Sequence, residues 1–303
     1  MGTPEGISTV AVLINPTSGK GKGATAGQIA VETLRAAGLD VQVIQGADAD
    51  QARQLLAETV NSGVDLVVAC GGDGTANLAL QSVVGTDTAL TILPTGTGDD
   101  NARMLGIPRG DPVAAAKTIA NGVRRTLDAG HVSAADGTDR WFLGVLSAGF
   151  DSCVNERANQ MTWPSGQARY LRAILAELRV FRPIHYRMTL DGTTSTVDGM
   201  LIAVGNGASY GGGMQVCPSA APDDGLLSVT VLGKVSKATF LRVFPKVFSG
   251  THTEHPSVSE HAAKTVRLEA EGQVAYADGE RVGPLPIDVT VKPNAVTVIV
   301  PST

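Results

Sequence analysis

The sequence lacks the features of several large protein classes. Its three cysteines, Cys70, Cys153 and Cys217, have wide spacings that match no metal site, and buried, reduced thiols are the simplest interpretation. No apolar run approaches the ~18 residues that span a bilayer, and the N-terminus has neither the basic nor the apolar region of a signal peptide. These absences predict a cytoplasmic location.

A basic excess is also missing. The formal net charge is −5, whereas proteins that bind nucleic acid more often carry a basic excess, so we expect no nucleic-acid partner. Internal repeats and low-complexity tracts are absent from the sequence. Glycine, in contrast, is abundant: the 36 glycines form clusters, which is typical of turns that approach a ligand closely.

Strand-like and helix-like segments alternate in the first half of the chain. Apolar strands are predicted at 9–14, 41–44, 65–70 and 89–93, and helices near 24–37, 48–61 and 78–84 and from Asp111 onward. Repeated β-α-β units with such strands predict a three-layer α/β domain, in which helices cover both faces of a parallel sheet. We place this domain at residues 1–125.

Strands dominate the second half. They are predicted at 124–127, 140–146, 185–190, 195–204, 226–232, 265–271, 274–278, 287–291 and 296–300, with helices near 165–180 and 236–248. This pattern predicts a mainly antiparallel β-sandwich domain at residues 126–303, whose last strand could return to the first domain. Edge strands could also pair between two copies of the chain, so a homodimer stays open.

Glycines cluster where the third strand meets the next helix. Gly71, Gly72, Asp73, Gly74 and Thr75 follow a buried strand that ends at Cys70. Glycines at such a turn let backbone amides approach an anionic ligand. The Asp73 carboxylate would repel phosphate unless a cation lay between them, and nucleotide-bound Mg²⁺ is the natural cation. Asp73 as a simple helix N-cap is the alternative.

Two further loops follow neighbouring strands. Residues 94–100 (PTGTGDD) follow the fourth strand, and residues 15–20 (NPTSGK) follow the first. Because the carboxyl ends of parallel strands share one edge of a sheet, the three loops should meet at one crevice. The first loop contains neither a P-loop nor a dinucleotide fingerprint, and a flexible surface loop is the alternative there.

These loops carry a family resemblance. The stretches NPTSGKG (15–21), GGDGT (71–75) and PTGTGDDNARMLGIP (94–108) resemble the catalytic domain of the diacylglycerol kinase family. The resemblance continues through SAGFD (147–151), PSAAPDDGL (218–226) and YADGE (276–280), so it spans nearly the whole chain. GGDGT also occurs in NAD kinases, which are expected to share the fold, so only the ordered set is specific.

The resemblance implies a lipid kinase that uses ATP and Mg²⁺. It would transfer the γ-phosphoryl group to the primary hydroxyl of diacylglycerol at the membrane surface, giving phosphatidic acid. Matching positions imply that the nucleotide contacts Asn15, Pro16, Thr17, Ser18, Gly19, Gly71, Gly72, Asp73, Gly74, Thr75, Asn77 and Thr97.

The resemblance also implies catalytic and metal-binding roles. Asp73 and Asp100 would act in the metal and phosphate network, and Glu280 would accept the hydroxyl proton, with Asp278 beside it. A structural Mg²⁺ would bind the side chain of Asp224 and the carbonyls of Ala221 and Leu226. The alternative is that PDDG (222–225) and DGE (278–280) are ordinary turns that bind no ligand.

Other functions remain open alternatives. The acceptor could be a sphingoid base or another glycerolipid, or the chain could be an NAD kinase. It could also be a nucleotide-binding regulator without catalysis, because Asp99 stands where the family usually has Asn. An ionised carboxylate cannot donate the proton that an amide donates.

A basic amphipathic helix is predicted at 165–180. Its arginines, extended by Arg182 and Arg187, could rest on anionic lipid, although a solvated helix face is the commoner case. Met161, Trp163 and Pro164 could form an apolar lip beside it. Asn206 and Tyr210, in a glycine-rich segment, could line the acceptor site.

Overall fold

The first half of the chain forms a parallel sheet flanked by helices, as predicted. The structure is a computed structural model that describes residues 4–161, 163 and 167–302. The elements of this half are β1 (Thr9–Ile14), α1 (Ser18–Ala36), β2 (Asp40–Ile44), α2 (Ala49–Asn61), β3 (Leu66–Gly71), α3 (Asp73–Val83), β4 (Ala89–Pro94), α4 (Asp100–Met104) and α5 (Pro112–Ala120). The strands lie in the order β4-β3-β1-β2, and each neighbouring pair is parallel.

Local capping fixes where several helices begin. At α2, Asp48 Oδ1 accepts a hydrogen bond from the Gln51 amide (2.8 Å) while Gln51 Oε1 accepts from the Ala47 amide (2.7 Å). Asp111 caps α5 in the predicted way. In α1, residues 19–21 have φ angles of 59°, 60° and 90°, so regular helix starts beyond this left-handed turn.

The second half is rich in antiparallel strands, as expected. Its elements are β5 (Val123–Ala134), β6 (Asp139–Phe142), β7 (Val145–Gly149), α6 (Phe150–Gln160), α7 (Gln167–Val180), β8 (Ile184–Leu190), β9 (Thr193–Gly205), β10 (Leu227–Gly233), α8 (Lys237–Val243), β11 (Val258–Ala263), β12 (Thr265–Glu269), β13 (Val274–Ala277), β14 (Glu280–Pro284) and β15 (Ile287–Val300), with 3-10 turns at Phe244–Ser249 and Thr251–Glu254.

Several boundaries differ from the predicted ones. Residues 140–146 form two strands rather than one, because the chain bends at Leu143 and Gly144. Residues 287–300 form one strand rather than two, because a register shift lets the strand continue past Asn294, whose φ is 52°. The sequence pattern also missed α4, α6, β11 and β14.

Strand β15 connects the two halves of the chain. It pairs antiparallel with β5 and β12 and parallel with β4, where Val298 lies opposite Leu90. One sheet therefore runs through the molecule in the order β14-β13-β7-β9-β8-β12-β15-β4-β3-β1-β2. The domain boundary that we expect between residues 125 and 126 lies within β5, and it stays a prediction.

Two large apolar clusters support this arrangement, one around β1, β3 and β4 and one around the second-half strands. A third cluster packs α6, α7 and α8 against β9 and β10 through Phe150, Phe181 and Phe240. Within the described residues, no helix has both the length and the apolar character needed to cross a bilayer.

Candidate active site

The three predicted loops meet at the carboxyl edge of the parallel sheet. Ser18 Oγ accepts a hydrogen bond from Thr95 Oγ1 (2.9 Å), and Asn15 Nδ2 donates to Thr75 Oγ1 (3.3 Å). The backbones also lie close: a Cβ on Gly19 would lie 2.0 Å from the Thr95 carbonyl oxygen. The loops therefore form one continuous surface, which depends on glycine at the points of closest approach.

A cavity of about 910 Å³ opens beside these loops. Eight of the predicted nucleotide contacts line it, together with Glu280: Asn15, Pro16, Thr17, Ser18, Gly72, Gly74, Thr75 and Asn77. The other four predicted contacts, Gly19, Gly71, Asp73 and Thr97, do not line it. Gly19 and Gly71 instead allow close packing, since a Cβ on Gly71 would lie 2.2 Å from Thr75 Oγ1.

Sequence reasoning missed two other parts of the cavity wall. One is the turn after β2 and the start of α2, including Asp48 and Arg53, and the other is Asp139, Arg140 and Trp141 of β6. The first could have been inferred, because the carboxyl end of β2 shares the edge of the other strands. The second depends on tertiary contact, since Gln81 of α3 binds both the amide and the carbonyl of Trp141 (2.9 Å each).

Glu280 reaches the cavity from the second half of the chain. It begins β14 after Gly279, whose φ is 82°, and its side chain is exposed. A Cβ on Gly74 would lie 2.9 Å from Glu280 Oε1. The carboxylate therefore lies over the first turn of α3, which begins at Asp73.

Asp73 and Asp100 form an acidic cluster near Gly98. A Cβ on Gly98 would lie 2.9 Å from Asp73 Oδ2 and 3.5 Å from Asp100 Oδ2. Asp73 Oδ1 accepts from the Asn101 amide (3.2 Å), and Asp100 Oδ2 accepts from the Gly212 amide (2.6 Å). Burial raises the pKa of Asp73, and the negative charge of Asp100 adds to this effect.

Asp99 lies in the same cluster. Its backbone is left-handed (φ 50°), and its Oδ1 accepts a hydrogen bond from the Gly96 amide (3.0 Å). Burial raises its pKa to about 6, and the charge of Asp73 contributes. An Asn side chain could accept the same bond without the buried charge.

The acidic cluster has the chemistry of a cation site. Asp100 Oδ1 is buried without a hydrogen-bond partner, and it forms a long ion pair with Arg103 Nε (3.7 Å). Carboxylate oxygens fit Mg²⁺, which would relieve the mutual repulsion that, in addition to burial, raises the pKa values of Asp73 and Asp99. In the described part of the chain, no group of three or more His, Cys, Asp or Glu side chains could hold a metal ion. Phosphate and water oxygens would have to complete the ligand shell.

Asp278 lies behind the cavity rather than in its wall. Its two carboxylate oxygens accept hydrogen bonds from the Leu143 and Gly144 amides (3.0 Å each). Burial raises its pKa to about 6, with a contribution from the charge of Asp73. These contacts suit a residue that positions the β6–β7 bend and the turn before Glu280, and a catalytic role stays a prediction.

The predicted structural metal site is a separate pocket of about 240 Å³. Ala221, Asp224 and Leu226 all line it, as does Glu260 of β11. Asp224 Oδ1 accepts from the Leu226 amide (2.9 Å), which closes the turn. The buried Asp128, which the sequence did not single out, accepts from the Gly225 amide (2.7 Å) and anchors this turn. Oxygen-rich surroundings of this kind suit Mg²⁺ or Ca²⁺.

Asn206 and Tyr210, the two residues predicted to line the acceptor site, lie in different surroundings. Asn206 is fully buried and donates to the carbonyls of Asp128 and Leu143, so it is structural. Tyr210 donates to Asp151 Oδ2 (2.9 Å). Both Tyr210 and Asp151 line a small apolar cavity of about 40 Å³ beneath α8 and the following 3-10 turn. Of the predicted lip, Met161 and Trp163 are described and Pro164 lies outside the described residues.

Comparison with known proteins identifies the family. The diacylglycerol kinase catalytic domain model matches residues 9–132, and the YegS C-terminal NAD kinase beta sandwich-like domain model matches residues 144–300. The chain is 45% identical over 296 residues to a diacylglycerol kinase of Mycobacterium tuberculosis (strain ATCC 25618 / H37Rv), covering 97% of this chain and 96% of that protein.

More distant matches comprise a further sequence and two solved structures. A diacylglycerol kinase of Bacillus subtilis (strain 168) is 28% identical, covering 91% of this chain and 90% of that protein. The structure of a diacylglycerol kinase from Bacillus anthracis str. Sterne superposes with a TM-score of 0.74 at 23% identity, covering 96% of both chains. An NAD kinase from Archaeoglobus fulgidus in complex with ATP has a TM-score of 0.52 at 13% identity, covering 96% of this chain and 93% of that one.

The matched ranges extend over both halves and contain the positions of the ordered motifs on which the prediction depended. This chain therefore belongs to the diacylglycerol kinase catalytic-domain family, a family of kinases.

Proposed function

We propose that this protein transfers the γ-phosphoryl group of ATP to the primary hydroxyl of diacylglycerol, with Mg²⁺, giving phosphatidic acid. One observation carries the proposal: the Glu280 carboxylate and the glycine-rich turn at Gly72 and Gly74 line the same 910 Å³ cavity. A proton acceptor from one half of the chain thus faces a phosphate-binding turn from the other half. This is the pairing that phosphoryl transfer to a hydroxyl requires.

The first turn of α3 would bind the phosphates. Its free backbone amides and the helix dipole favour a negative charge beside Gly72 and Gly74. Asn15 to Ser18 would hold the rest of the nucleotide along the cavity. Bound Mg²⁺ would neutralise charge on the transferred phosphoryl group, and Asp73 and Asp100 are the residues that would hold it.

Glu280 would accept the proton of the attacking hydroxyl. The oxygen of the acceptor then forms a bond to the γ-phosphorus while the bond to the β,γ-bridging oxygen breaks, and ADP leaves. General-base assistance of this kind is typically worth ~10²–10⁴-fold in rate. The exposed position of Glu280 allows the carboxylate to meet an acceptor that arrives from outside.

The lipid would approach from the second half of the chain. Gly212 contacts Asp100, and Tyr210 of the same segment lines the small apolar cavity, so this segment joins the acidic cluster to apolar surroundings. The cavity has the volume of about one or two water molecules, so α8 must move if an acyl chain is to enter it. We also propose contact with the membrane surface during turnover, while a homodimer stays a prediction.

An acceptor panel tests the proposal. The protein is incubated with γ-labelled ATP, Mg²⁺ and mixed micelles that contain diacylglycerol, sphingosine or no lipid, with NAD in a parallel reaction. We expect label in phosphatidic acid and no label in NADP. Label in a sphingoid phosphate or in NADP would show that the acceptor is a sphingoid base or NAD rather than diacylglycerol. Bound ATP without any transfer would favour a non-catalytic regulator.

A further inference from the structure

Large exposed apolar side chains are concentrated on one side of the second half. Of the nine in the described residues, five are Trp163, which precedes α7 in the chain, and residues of α7 or of the segment 234–249, which comprises α8 and its flanks: Trp163, Leu175, Val180, Leu241 and Phe248. Each is more than half exposed, and Trp163 is 73% exposed. We call the surface formed by Trp163, α7 and residues 234–249 the α7–α8 face.

The same face is strongly basic. Residues 167–182 and 234–249 contain eight Lys and Arg residues and one carboxylate, Glu177, in a chain whose net charge is −5. Glu177 is already paired with Arg157 (2.6 Å). In the described part of the chain, no carboxylate forms an ion pair with the exposed bases of this face: Arg172, Arg179, Arg182, Lys234, Lys237, Arg242 and Lys246.

The two segments form one continuous surface. Lys237 Nζ donates to the Arg179 carbonyl, which joins the end of α7 to the start of α8. Beneath them, the Phe150 ring contacts both Phe181 (5.3 Å between centroids) and Phe240 (4.7 Å). The exposed apolar and basic side chains of both helices therefore belong to the same part of the molecule.

The inner side of this face encloses the small apolar cavity. Phe240, Val243, Phe244 and Val247 line that cavity, whereas Leu241 and Phe248 point outward. The segment 240–248 therefore carries apolar side chains both inward, toward the cavity, and outward, where they lie beside Arg242 and Lys246. Large apolar side chains that are exposed and grouped on one surface, rather than scattered singly, mark an interaction site.

We propose that the α7–α8 face docks on an anionic lipid bilayer, with Leu241 and Phe248 entering the acyl region and the basic residues contacting the headgroups. The inference rests on the proposed function and adds a second contact, residues 234–249, to the α7 helix that the sequence indicated. The combination of a basic surface with protruding apolar side chains matches an interfacial membrane element. A surface that binds nucleic acid would need the basic charges but not the exposed apolar side chains of Leu241 and Phe248.

Vesicle sedimentation tests this surface without any need for turnover. The full chain is mixed with vesicles of phosphatidylcholine alone, or with about a third phosphatidylglycerol. The apolar variant is Leu241→Ser/Phe248→Ser, and the charge variant is Lys237→Glu/Arg242→Glu/Lys246→Glu. The control is Val43→Ser/Leu55→Ser, which removes exposed apolar side chains from β2 and α2 in the first half.

We expect wild type to bind anionic vesicles and to lose binding at high salt. The apolar variant should bind about 10–100-fold more weakly, and the charge variant on the order of 100-fold more weakly. The control should bind like wild type. Thermal unfolding checks that each variant is folded, and Arg172→Glu/Arg179→Glu provides an independent charge variant on α7.

Activity separates this proposal from the proposed function. With a soluble short-chain diacylglycerol, all four variants should keep wild-type turnover, while the face variants should lose turnover on vesicles. Equal vesicle binding by wild type and all three face variants would overturn the docking surface, even if the kinase activity is present. Failure of wild type to bind anionic vesicles, or binding of duplex DNA in their place, would also overturn it.

Discussion

Glu280 and Gly74 are in contact across the two halves of the chain: Glu280 Oε1 lies 2.9 Å from the point where a Cβ of residue 74 would be. Gly74 belongs to the first turn of α3, and Glu280 begins β14. The missing side chain at position 74 thus leaves space for the carboxylate that we propose as the proton acceptor. For this reason, the position of Glu280 in the YADGE motif depends on glycine at position 74 of the glycine-rich motif.

Gly74→Ala should lower turnover without unfolding the protein. A methyl group there would push the flexible Glu280 side chain aside, whereas the helical backbone accepts Ala, which favours helix by roughly 0.5–1 kcal/mol over Gly. We expect kcat to fall at least about tenfold, together with weaker nucleotide binding, because Gly74 also belongs to the proposed phosphate-binding turn. Steady-state kinetics, ATP titration and thermal unfolding measure the three quantities.

Glu280→Gln should lower kcat by ~10²–10⁴-fold with little change in ATP affinity, because a base acts in the transition state. In the double variant with Gly74→Ala, the effects should not add, since both changes remove the same carboxylate from its position. Glu271→Gln, an exposed carboxylate before β13, is the matched control. Additive losses would show that Gly74 acts independently of Glu280.

Asp99→Asn should stabilise the protein at neutral pH. The pKa of Asp99 is raised from 3.8 to about 6 by burial and by Asp73, so the folded state holds this proton more tightly than the unfolded chain. The free energy of unfolding contributed by Asp99 therefore falls as pH rises between these values and stays lower above about 6.

The variant should match wild type near pH 4 and gain about 1–3 kcal/mol near pH 7.5. Urea unfolding at both pH values measures this difference, with the exposed Asp87→Asn as control. A gain of equal size at both pH values would mean that the buried charge of Asp99 is not its cause.

Asp224→Asn should remove a divalent-cation effect on stability. If the 240 Å³ pocket holds a cation, Mg²⁺ or Ca²⁺ should raise the Tm of wild type by mass action, since binding favours the folded state. Asp223→Asn is the matched control, because Asp223 belongs to the same turn but pairs with Arg125 (2.6 Å). A cation-dependent rise in Tm of Asp224→Asn that equals the rise in wild type and in Asp223→Asn would exclude Asp224 as a ligand.

The sequence predicted the parallel sheet and its loops well, because these depend on local signals. The apolar run before Gly71, the Asp48 and Gln51 caps and the glycine clusters act within a few residues of the chain. The nucleotide contacts were assigned by the family resemblance, and eight of them line one cavity together with Glu280. A family resemblance, rather than local pattern, supplied Glu280.

Features that depend on distant contacts could not be predicted. The break between β6 and β7 is held by Asp278, which lies 134 residues beyond Gly144. Trp141 lines the cavity because Gln81 holds its backbone, and no motif marks either residue. Asn206 was predicted in the acceptor site, but its amide satisfies buried carbonyls of Asp128 and Leu143.

The most direct test of the central claim is the rate at which label passes from γ-labelled ATP to a soluble short-chain diacylglycerol, measured for wild type, Asp73→Ala and Glu280→Gln. The account predicts labelled phosphatidic acid with wild type, no detectable transfer with Asp73→Ala, and slow transfer with Glu280→Gln at wild-type ATP affinity. Near-normal rates in both folded variants, or no transfer by wild type that binds ATP, would contradict it.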